Sequence, residues 1–525
     1  MPNVKVLDCT LRDGGYVNDW KFGKQVSNGI ISNLIAAKID IVECGFIRNA
    51  PHDVDSTVYP SMECFSKSIA PKDTNVLYAI MIEQHNHVDD SIPEYDGRGA
   101  DIIRVTFRKS EWNEAKQSII SLIKKGYKVC VQPVGTATYD DESLINLIKD
   151  VNEINPYAFY LVDTLGMMYR HDMRRFFYLI DNNLSANIAL GFHSHNNLQL
   201  SFSNAQEMLR LNRKRNLIID SSCYGMGRGV GNLPTELFVD YINNNIELRY
   251  SIIPIMNIID KYLMPIYAKT RWGYDLPYFL SAAFKCHPNY AAYLMKKETL
   301  DIENIEKVLS LLPKDKRSEF DEKTIDELYF GYMNCFFNDA DSVLKLREII
   351  DDKEVLLLGP GPSIVNSKDI ISKEITDKTF VISVNFISNL YKTDALFISN
   401  EKRLSQLIKN DLLSNKCIIS TSNLKEPIAN SIVFNYSSYL GEQNGADNAG
   451  AMAIRILKSA GVKKIKLAGF DGFEVDSSKN YCVDSYKKNM DYNSTEKKNS
   501  EISKQLKSAL DGVNFKMITE TKYEL

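Results

Sequence analysis

The nine cysteines of this 525-residue sequence are scattered singly, and no two of them form a C-x-x-C pair. Their spacing argues against a zinc ribbon and a disulfide framework, and it fits a reducing compartment. No apolar run reaches the roughly 18 residues that a membrane-spanning helix requires. The amino terminus also lacks the basic segment followed by an apolar one that marks a secretory signal. We therefore expect a soluble, cytoplasmic protein.

The sequence has no large excess of charge of one sign, since its formal net charge is −4 and its lysines and acids are interspersed. This balance removes the electrostatic case for nucleic acid or an anionic membrane, so a small-molecule partner is favoured. The hydrophobic share of 44% is enough for real cores, and the length predicts two or three compact units.

Short apolar segments rich in β-branched residues recur through the first half of the sequence, at intervals of roughly 30 residues. They begin near residues 4, 39, 75, 101, 128, 158, 187 and 216, and segments with helical spacing lie between them. Eight strand-helix units predict an α/β fold of the (β/α)8, or TIM barrel, type. An open doubly wound sheet is the alternative, but eight consecutive repeats favour closure, with the chemistry at the carboxyl ends of the strands.

Two further segments follow the eight repeats. Residues 241–350 lose the strand pattern and predict a helical extension and connector. Strand signals return near residue 354 with "EVLLLGPGPSI" and alternate with helix-like stretches such as "NAGAMAIRILKSAG". We therefore divide the chain into a barrel at 1–240, a helical extension at 241–350, and a separate Rossmann-like α/β domain at 351–525.

The segment "GFHSHNN" places His193 and His195 two residues apart on a predicted strand, so their side chains point to the same face. Ala189 and Gly191 share that face, and such small residues would leave room for a group seated at the barrel mouth. Two imidazoles with a carboxylate from another strand end would form a mixed nitrogen and oxygen metal site.

Polar residues also stand at the ends of four other predicted strands. They are Arg12 and Asp13 in "TLRDG", Glu43 in "VECGF", Asp163 and Thr164 in "VDTLG", and Asn232 in "GMGRGVGNLPTE". Packing alone does not require polar residues at five strand ends of one barrel, so we conclude that they form an active site.

The motifs "DCTLRDGG", "VECGF", "VDTLG", "GFHSHNN" and "GMGRGVGNLPTE" follow one another in this order within residues 1–240. Their combination resembles the DRE-TIM metallolyase superfamily, which includes hydroxymethylglutaryl-CoA lyase, 4-hydroxy-2-oxovalerate aldolase and the isopropylmalate-type synthases. The last motif is most similar to that of the 4-hydroxy-2-oxovalerate aldolase branch. The lack of an obvious acyl-CoA feature in the sequence agrees with this branch.

That resemblance implies a divalent ion held by Asp13, His193 and His195, with Asn232 as a further ligand. A set of one carboxylate and two neutral imidazoles, completed by water and substrate oxygens, suits manganese or magnesium, while zinc and cobalt stay open. A pyruvate-type 2-oxo acid would bind through its carboxylate and keto oxygens and react as an enolate.

The resemblance further implies that Arg12 holds the enolate oxygen and that Glu43 is the ion-pair partner of Arg12. We also predict that Asp163 and Thr164, at their strand end, contact substrate. One position departs from the family pattern. The aldolases of this branch carry a histidine base shortly after the RDG segment, and Tyr16 stands there in this sequence. A tyrosine titrates near pH ~10, so three roles stay open for Tyr16: base, acid, or wall of the pocket.

The last domain has its own Gly-rich turn after a first strand, with Gly361 and Ser363, and further polar positions at Asn385 and Asp471. This set resembles bacterial sialyltransferases and pterin-diphosphokinase-like proteins, and it implies a nucleotide or nucleotide-sugar pocket lined by Gly361, Ser363 and Asn385. The sialyltransferases use a histidine base, but the sequence has no histidine after His287. A binding domain is therefore favoured over a transferase, and a docking or oligomerisation domain is the alternative.

His287 lies in the helical extension, shortly after Trp272, Tyr274 and Tyr278. This group predicts either a lid over the barrel mouth or an ordinary aromatic contact between helices.

These observations predict a divalent-metal aldolase that forms or cleaves a bond between a pyruvate-type enolate and an aldehyde. The attached domain would suit sugar-related substrates, as in surface-polysaccharide synthesis. Two alternatives stay open: a Claisen-type synthase that uses an acyl-CoA, and a nucleotide-sugar protein whose barrel is only a scaffold. Because homo-oligomers are common in the family, we expect a homodimer.

Overall fold

The computed structural model describes residues 4–51, 53–69, 72–86, 91–212, 214–317, 319–333, 338–409, 413, 417–426, 428–441, 448–487 and 490–525. They divide into two compact units. The first unit holds residues 1–291 and 313–320, and the second holds residues 292–312 and 321–525. The predicted helical extension, residues 241–350, is therefore shared between them.

The first unit contains a closed barrel of eight parallel strands, which confirms the predicted TIM barrel. The strands are β1 (Val4–Asp8), β2 (Ile41–Ile47), β3 (Leu77–Glu83), β4 (Ile102–Phe107), β5 (Lys128–Pro133), β6 (Ala158–Asp163), β7 (Ala189–Ser194) and β8 (Leu217–Ser221). Each strand pairs with the next one along the chain, and β1 also pairs with β8, with Val4 opposite Leu217. Closure brings all eight carboxyl ends to one mouth.

The barrel strands are buried on both faces. Their outward side chains pack against the surrounding helices, whereas an inner cluster fills the barrel with Leu7, Ile41, Ala79, Tyr160 and Ala189 among its members. The expectation that Gly191 leaves open room below the two histidines is wrong. A Cβ at Gly191 would collide with the ring of Tyr160, so this glycine makes space for a core side chain.

Helices cover the outside of the barrel. They are Lys24–Ala36, Met62–Ser68, Trp112–Lys124, Asp141–Ile154, Arg170–Asn183, Ser201–Leu211 and Thr235–Asn245. The helix Asp141–Ile154 shows how local sequence sets these bounds: Asp140 caps its start by accepting from the Ser143 amide at 2.8 Å, and Asn155 ends it in the left-handed conformation.

The first unit continues with helices Ile252–Ile258, Met264–Tyr267, Leu276–Ala283 and the start of Asn289–Lys297, and a π-helical turn, Ile259–Leu263, joins the first two. Across the described ranges, no helix is long and apolar enough to cross a membrane.

Strand β2 contains an irregularity that shapes the barrel mouth. The pairing of β2 with β3 shifts register between Glu43 and Phe46, and Gly45 lies in the bulge with φ +138°. The carbonyl of Thr57 lies where a Cβ of residue 45 would be, so only glycine fits. The "ECG" sequence therefore sets the backbone that carries Glu43.

The second unit is built on a parallel sheet of seven strands. They are β9 (Glu354–Leu358), β10 (Thr379–Val384), β11 (Ala395–Ile398), β12 (Cys417–Thr421), β13 (Ser431–Phe434), β14 (Lys464–Ala468) and β15 (Asn514–Met517). The strand order is β13-β12-β11-β10-β9-β14-β15, so the direction of winding reverses between β9 and β14. This sheet confirms a separate α/β fold in the carboxyl-terminal part.

Helices of the second unit connect and cover these strands. They are the rest of Asn289–Lys297, then Ile302–Ser310, Glu322–Met333, Ala340–Ile350, Ser363–Asn366, Lys368–Glu374, Glu401–Lys409, Tyr436–Tyr439, Ala449–Ser459 and Tyr492–Leu510. The predicted helix around "NAGAMAIRILKSAG" begins after Asn448, whose side chain accepts from the Ala451 amide.

Arg215, just before β8, forms hydrogen bonds to the end of the helix Arg170–Asn183 and to the segment that connects this helix to β7. Its guanidinium pairs with the Asp181 carboxylate at 2.6 Å and also donates to the main-chain carbonyls of Asp181, Leu184, Ser185 and Ile188. The Asp181 carbonyl belongs to the last turn of the helix Arg170–Asn183, where carbonyl groups have no hydrogen-bond donor within the helix.

We expect Arg215→Met to lower the free energy of unfolding of the first unit by about 2–4 kcal/mol, because several carbonyls and one carboxylate lose their donor. Urea unfolding followed by tryptophan fluorescence measures this, since the three tryptophans, Trp20, Trp112 and Trp272, all lie in the first unit. Arg210→Met, on a side chain 69% exposed, is the matched control. Equal unfolding midpoints for both variants would contradict the assignment.

Candidate active site

Three of the predicted metal ligands come together at the barrel mouth. Asp13 follows β1, His193 lies in β7, and His195 follows β7 by one residue. One ligand atom of each lies within 4.8 Å of the others, and all three side chains are buried. Two imidazole nitrogens and a carboxylate oxygen are a set that holds a divalent cation.

Hydrogen bonds fix which nitrogen of each imidazole is available. The Nδ1 of His193 donates to the Asp220 carboxylate at 2.9 Å, and the Nδ1 of His195 donates to the carbonyl of Arg228 at 3.4 Å. In both rings Nε2 is therefore the nitrogen that keeps its lone pair. Burial lowers the pKa of His195 to about 4, so this ring is neutral near pH 7, as a ligand must be.

Arg12 lies next to the cluster with its orientation fixed from two sides. Its Nε donates to Glu43 Oε2 at 2.9 Å and its Nη1 to Asp13 Oδ1 at 2.5 Å, so the expected ion pair with Glu43 is present. Burial disfavours the charge of Arg12, but Glu43 and Asp13 outweigh this and raise its pKa. Within the described part of the chain, its buried Nη2 has no partner and is free to donate to a ligand.

The sequence interpretation missed two residues that complete this network, Arg104 in β4 and Asp220 in β8. Arg104 is fully buried and donates through Nη1 to Glu43 Oε2 at 2.6 Å and through Nη2 to Asp220. Asp220 in turn accepts from His193. The signals were a lone arginine inside the apolar run "DIIRVTF" and a lone acid ending "NLIID".

These contacts form one continuous series, which we call the charge chain: Asp13, Arg12, Glu43, Arg104, Asp220 and His193. Burial raises the pKa of Asp13 and Asp220, but their cationic neighbours, Arg12 and Arg104 respectively, outweigh it and hold both pKa values below the usual range. Three carboxylates and two guanidiniums leave one net negative charge. That excess favours a bound cation.

Asn232 contacts the cluster through Asp13. Its Nδ2 donates to Asp13 Oδ2 at 2.6 Å, whereas its buried Oδ1 has no partner among the residues described. A Cβ at Gly227 would collide with the Asn232 amide, so this glycine of "GMGRG" allows the approach. An unpaired buried oxygen next to a carboxylate fits a cation, and direct ligation by Asn232 stays a prediction.

Tyr16 lies at the same mouth, in the 3₁₀ turn Gly14–Val17. Its ring packs on Trp20, with 4.6 Å between ring centroids, and its side chain remains 37% exposed. Desolvation and the Asp13 carboxylate raise the pKa of the Tyr16 hydroxyl, so the phenol keeps its proton at neutral pH. This disfavours the role of base and leaves those of proton donor and pocket wall.

The two predicted substrate contacts at the end of β6 differ in their surroundings. Asp163 accepts from the amides of Met167 and Met168, both at 3.0 Å, and burial raises its pKa to about 6. Both carboxylate oxygens of Asp163 thus stabilise the loop that follows β6. Thr164 accepts from the Gly135 amide and lines the cleft beside the metal cluster. Substrate contact by either residue stays a prediction.

That cleft is also lined by His195, Arg228 and His287. His287 therefore reaches the site from the helical segment, as the lid interpretation expects. Trp272 forms an aromatic contact instead, since it packs on Tyr267 and donates to the Tyr224 carbonyl at 3.0 Å.

In the second unit, the predicted nucleotide-binding residues lie at the carboxyl ends of the strands. Gly361 and Ser363 follow β9, beside β14, where the winding reverses. The Ser363 amide and hydroxyl both donate to the Asp471 carboxylate, at 2.7 and 2.5 Å, and the Gly361 amide donates to the Gly469 carbonyl. Asn385, at φ +58°, accepts from the Ser399 amide. A phosphate at this turn would have to displace Asp471, and nucleotide binding stays a prediction.

A comparison with family models finds that residues 3–249 match the model described as HMGL-like. Residues 3–249 form an HMGL-like domain. This agrees with the resemblance drawn from the five motifs. The match ends before the second unit begins.

Named relatives of the HMGL-like domain include a 4-hydroxy-2-oxovalerate aldolase of Pseudoalteromonas translucida, 25% identical over 271 residues, which are 50% of this chain and 76% of the relative. An oxaloacetate decarboxylase of Mycobacterium tuberculosis is 24% identical over 236 residues, covering 45% of this chain and 68% of the relative. Among solved structures, HMG-CoA lyase from Brucella melitensis aligns with a TM-score of 0.40 at 15% identity, covering 49% of this chain and 96% of that one.

We expect His193→Ala to weaken Mn²⁺ binding by about 100-fold or more, because the HMGL-like domain loses one of two imidazole ligands. Titration of the protein with Mn²⁺, followed by the EPR signal of the free ion, measures the affinity. His171→Ala is the control, since that side chain is 80% exposed and lies outside the cluster. Unchanged Mn²⁺ affinity in His193→Ala would rule out this cluster as the metal site.

Proposed function

We propose that the first unit is a divalent-metal-dependent aldolase that forms or cleaves a carbon–carbon bond between a pyruvate-type enolate and an aldehyde. The observation that carries the proposal is a metal-ligand cluster next to a fixed guanidinium whose Nη2 has no partner among the described residues. Asp13, His193 and His195 form the cluster, and Arg12 supplies the free Nη2.

The names of the relatives support the same chemistry. Cleavage of a 4-hydroxy-2-oxo acid and decarboxylation of oxaloacetate both break a bond at carbon 3 of a 2-oxo acid. Each of these reactions leaves the enolate of pyruvate. A site built to stabilise that enolate therefore serves both reactions, and the group bonded to carbon 3 decides which of them takes place.

A divalent ion held by Asp13, His193 and His195 would supply Lewis-acid polarisation of the keto group. Arg12 Nη2 donates to the oxygen on which negative charge develops. Glu43 and Asp13 hold the guanidinium in place before the reaction begins, so no reorganisation is needed in the transition state. In the direction of bond formation the aldehyde oxygen gains a proton, for which the protonated phenol of Tyr16 is one donor at the mouth.

The alternative enzyme class is condensation with an acyl-CoA, which would release free CoA. A scaffold role for the barrel is disfavoured, because a scaffold does not require a cation-binding cluster and an unpaired buried guanidinium N–H. The sugar-related substrate and the homodimer stay predictions.

We expect the protein to exchange the methyl protons of pyruvate with deuterium in the presence of Mg²⁺ or Mn²⁺, and Arg12→Lys to slow this exchange by about 100-fold or more. Lysine keeps the positive charge between Glu43 and Asp13 but loses the planar fork that gives Nη2 its direction. Proton NMR in D₂O with Mg²⁺ measures the rate.

Arg98→Gln, on a side chain 85% exposed, is the control and should exchange at the wild-type rate. Wild-type protein that shows no exchange with any divalent ion would contradict pyruvate as the donor. Release of a free thiol from acetyl-CoA and a 2-oxo acid would then identify the condensing alternative.

A further inference from the structure

Arg228 is a charged group at the barrel mouth that the proposed mechanism does not use. It stands in "GMGRGVGN" between β8 and the helix Thr235–Asn245, and its side chain is half-buried. Its carbonyl accepts from His195 Nδ1 at 3.4 Å, so its guanidinium lies within one side-chain length of the metal cluster. The Arg228 side chain lines the same cleft as His195.

No acid neutralises this guanidinium within the ranges that the structure describes. Its Nη2 donates to Nε2 of His287 at 2.8 Å, and its Cζ lies over the ring of Tyr16 at 5.6 Å from the centroid. Neither partner carries negative charge. Burial and the neighbouring guanidinium lower the pKa of His287 to about 4, so this imidazole accepts as a neutral ring near pH 7.

His287 and Tyr16 hold Arg228 without quenching its charge. A neutral imidazole fixes one N–H of the guanidinium, the aromatic ring supports its face, and the remaining N–H groups are left for a ligand. The side chains that line the cleft with Arg228 are Thr164, Leu165, His195, Asn197, His287 and Pro288, and none of them is acidic.

The charges of the other components make this positive charge significant. The charge chain carries one net negative charge, so a divalent ion and a singly charged 2-oxo acid together bring it to neutrality. The guanidinium of Arg228 is then a positive charge in the cleft that no acidic side chain of the described residues pairs with. Such a charge attracts an anionic group and fixes its position through paired hydrogen bonds.

We propose that the second substrate is an aldehyde that carries an anionic group, a carboxylate or a phosphate, and that Arg228 binds this group while His287 positions Arg228. This inference rests on the proposed aldolase function, because it assigns the second reactant of that reaction. It predicts specificity for charged aldehydes over neutral ones of similar length.

The test compares succinic semialdehyde, glycolaldehyde phosphate and butyraldehyde as ligands of the full-length protein loaded with Mg²⁺. Ligand-observed NMR without pyruvate measures binding, and addition of pyruvate measures turnover. We expect at least one anionic aldehyde to bind about 10-fold or more tightly than butyraldehyde, as for a charge-assisted pair. Tighter binding of succinic semialdehyde would identify the anionic group as a carboxylate, and tighter binding of glycolaldehyde phosphate would identify it as a phosphate.

Arg228→Gln should bring the anionic and neutral aldehydes within about twofold of each other, and Arg228→Lys should keep part of the preference because it keeps the charge. Arg98→Gln, an exposed arginine, should keep the wild-type preference. Equal binding of butyraldehyde by the wild type, or an undiminished preference in Arg228→Gln, would overturn the inference.

Binding and turnover separate the two claims. An anionic aldehyde that binds through Arg228 but does not condense with pyruvate would contradict the aldolase function and leave the anion site standing. If pyruvate condenses with butyraldehyde at least as efficiently as with both anionic aldehydes, the aldolase function stands and the anion site at Arg228 is contradicted.

Discussion

A single carboxylate oxygen, Oε2 of Glu43, accepts from Arg12 and Arg104 together, and the geometry of the whole site depends on this shared contact. On one side Arg12 holds Asp13, and on the other Arg104 holds Asp220, which orients His193. Two predicted metal ligands from opposite ends of the barrel sequence, Asp13 and His193, are thus connected through side chains. Removing any member would leave a buried charge without at least one of its partners.

Such a chain does not favour folding by itself, because the cost of burying ions commonly matches or exceeds their attraction. Its value lies in orientation. Glu43, Arg104, Asp220 and His193 come from four different strands, so barrel closure is what brings them together. Once closed, the barrel holds two imidazoles and one carboxylate close together, with the Arg12 guanidinium bonded to that carboxylate, so little reorganisation is needed when a substrate arrives.

The sequence could predict the features that depend on local pattern. All eight barrel strands, the HxH pair of β7 and the polar strand ends are visible as short periodic segments, and the Arg12–Glu43 pair followed from the family resemblance. Arg104 and Asp220 are visible only as single charges in apolar strands, and the sequence could not show what each one pairs with, because the partners lie on other strands. Gly191 was misread for a related reason, since the ring that fills its space belongs to Tyr160 on the neighbouring strand.

The second unit shows the same limit. Six of its strands have apolar, β-branched patterns, but β15 at the sheet edge leaves Asn514, Phe515 and Lys516 exposed, so it lacks that signal. The Gly-rich turn after β9 was predicted to face a phosphate. In this structure the Ser363 donors face the Asp471 carboxylate and the Gly361 amide faces the Gly469 carbonyl, and only the packing of β9 beside β14 reveals these contacts.

The central claim is that the charge chain aligns the metal ligands and Arg12 on one substrate. A crystal structure with Mn²⁺ and oxalate, an analogue of the pyruvate enolate, tests it most directly. The account predicts one anomalous peak coordinated by Asp13, His193 and His195, with Arg12 Nη2 donating to oxalate while Glu43 still bridges Arg12 and Arg104. Manganese bound elsewhere, or Arg12 turned away from oxalate, would contradict it.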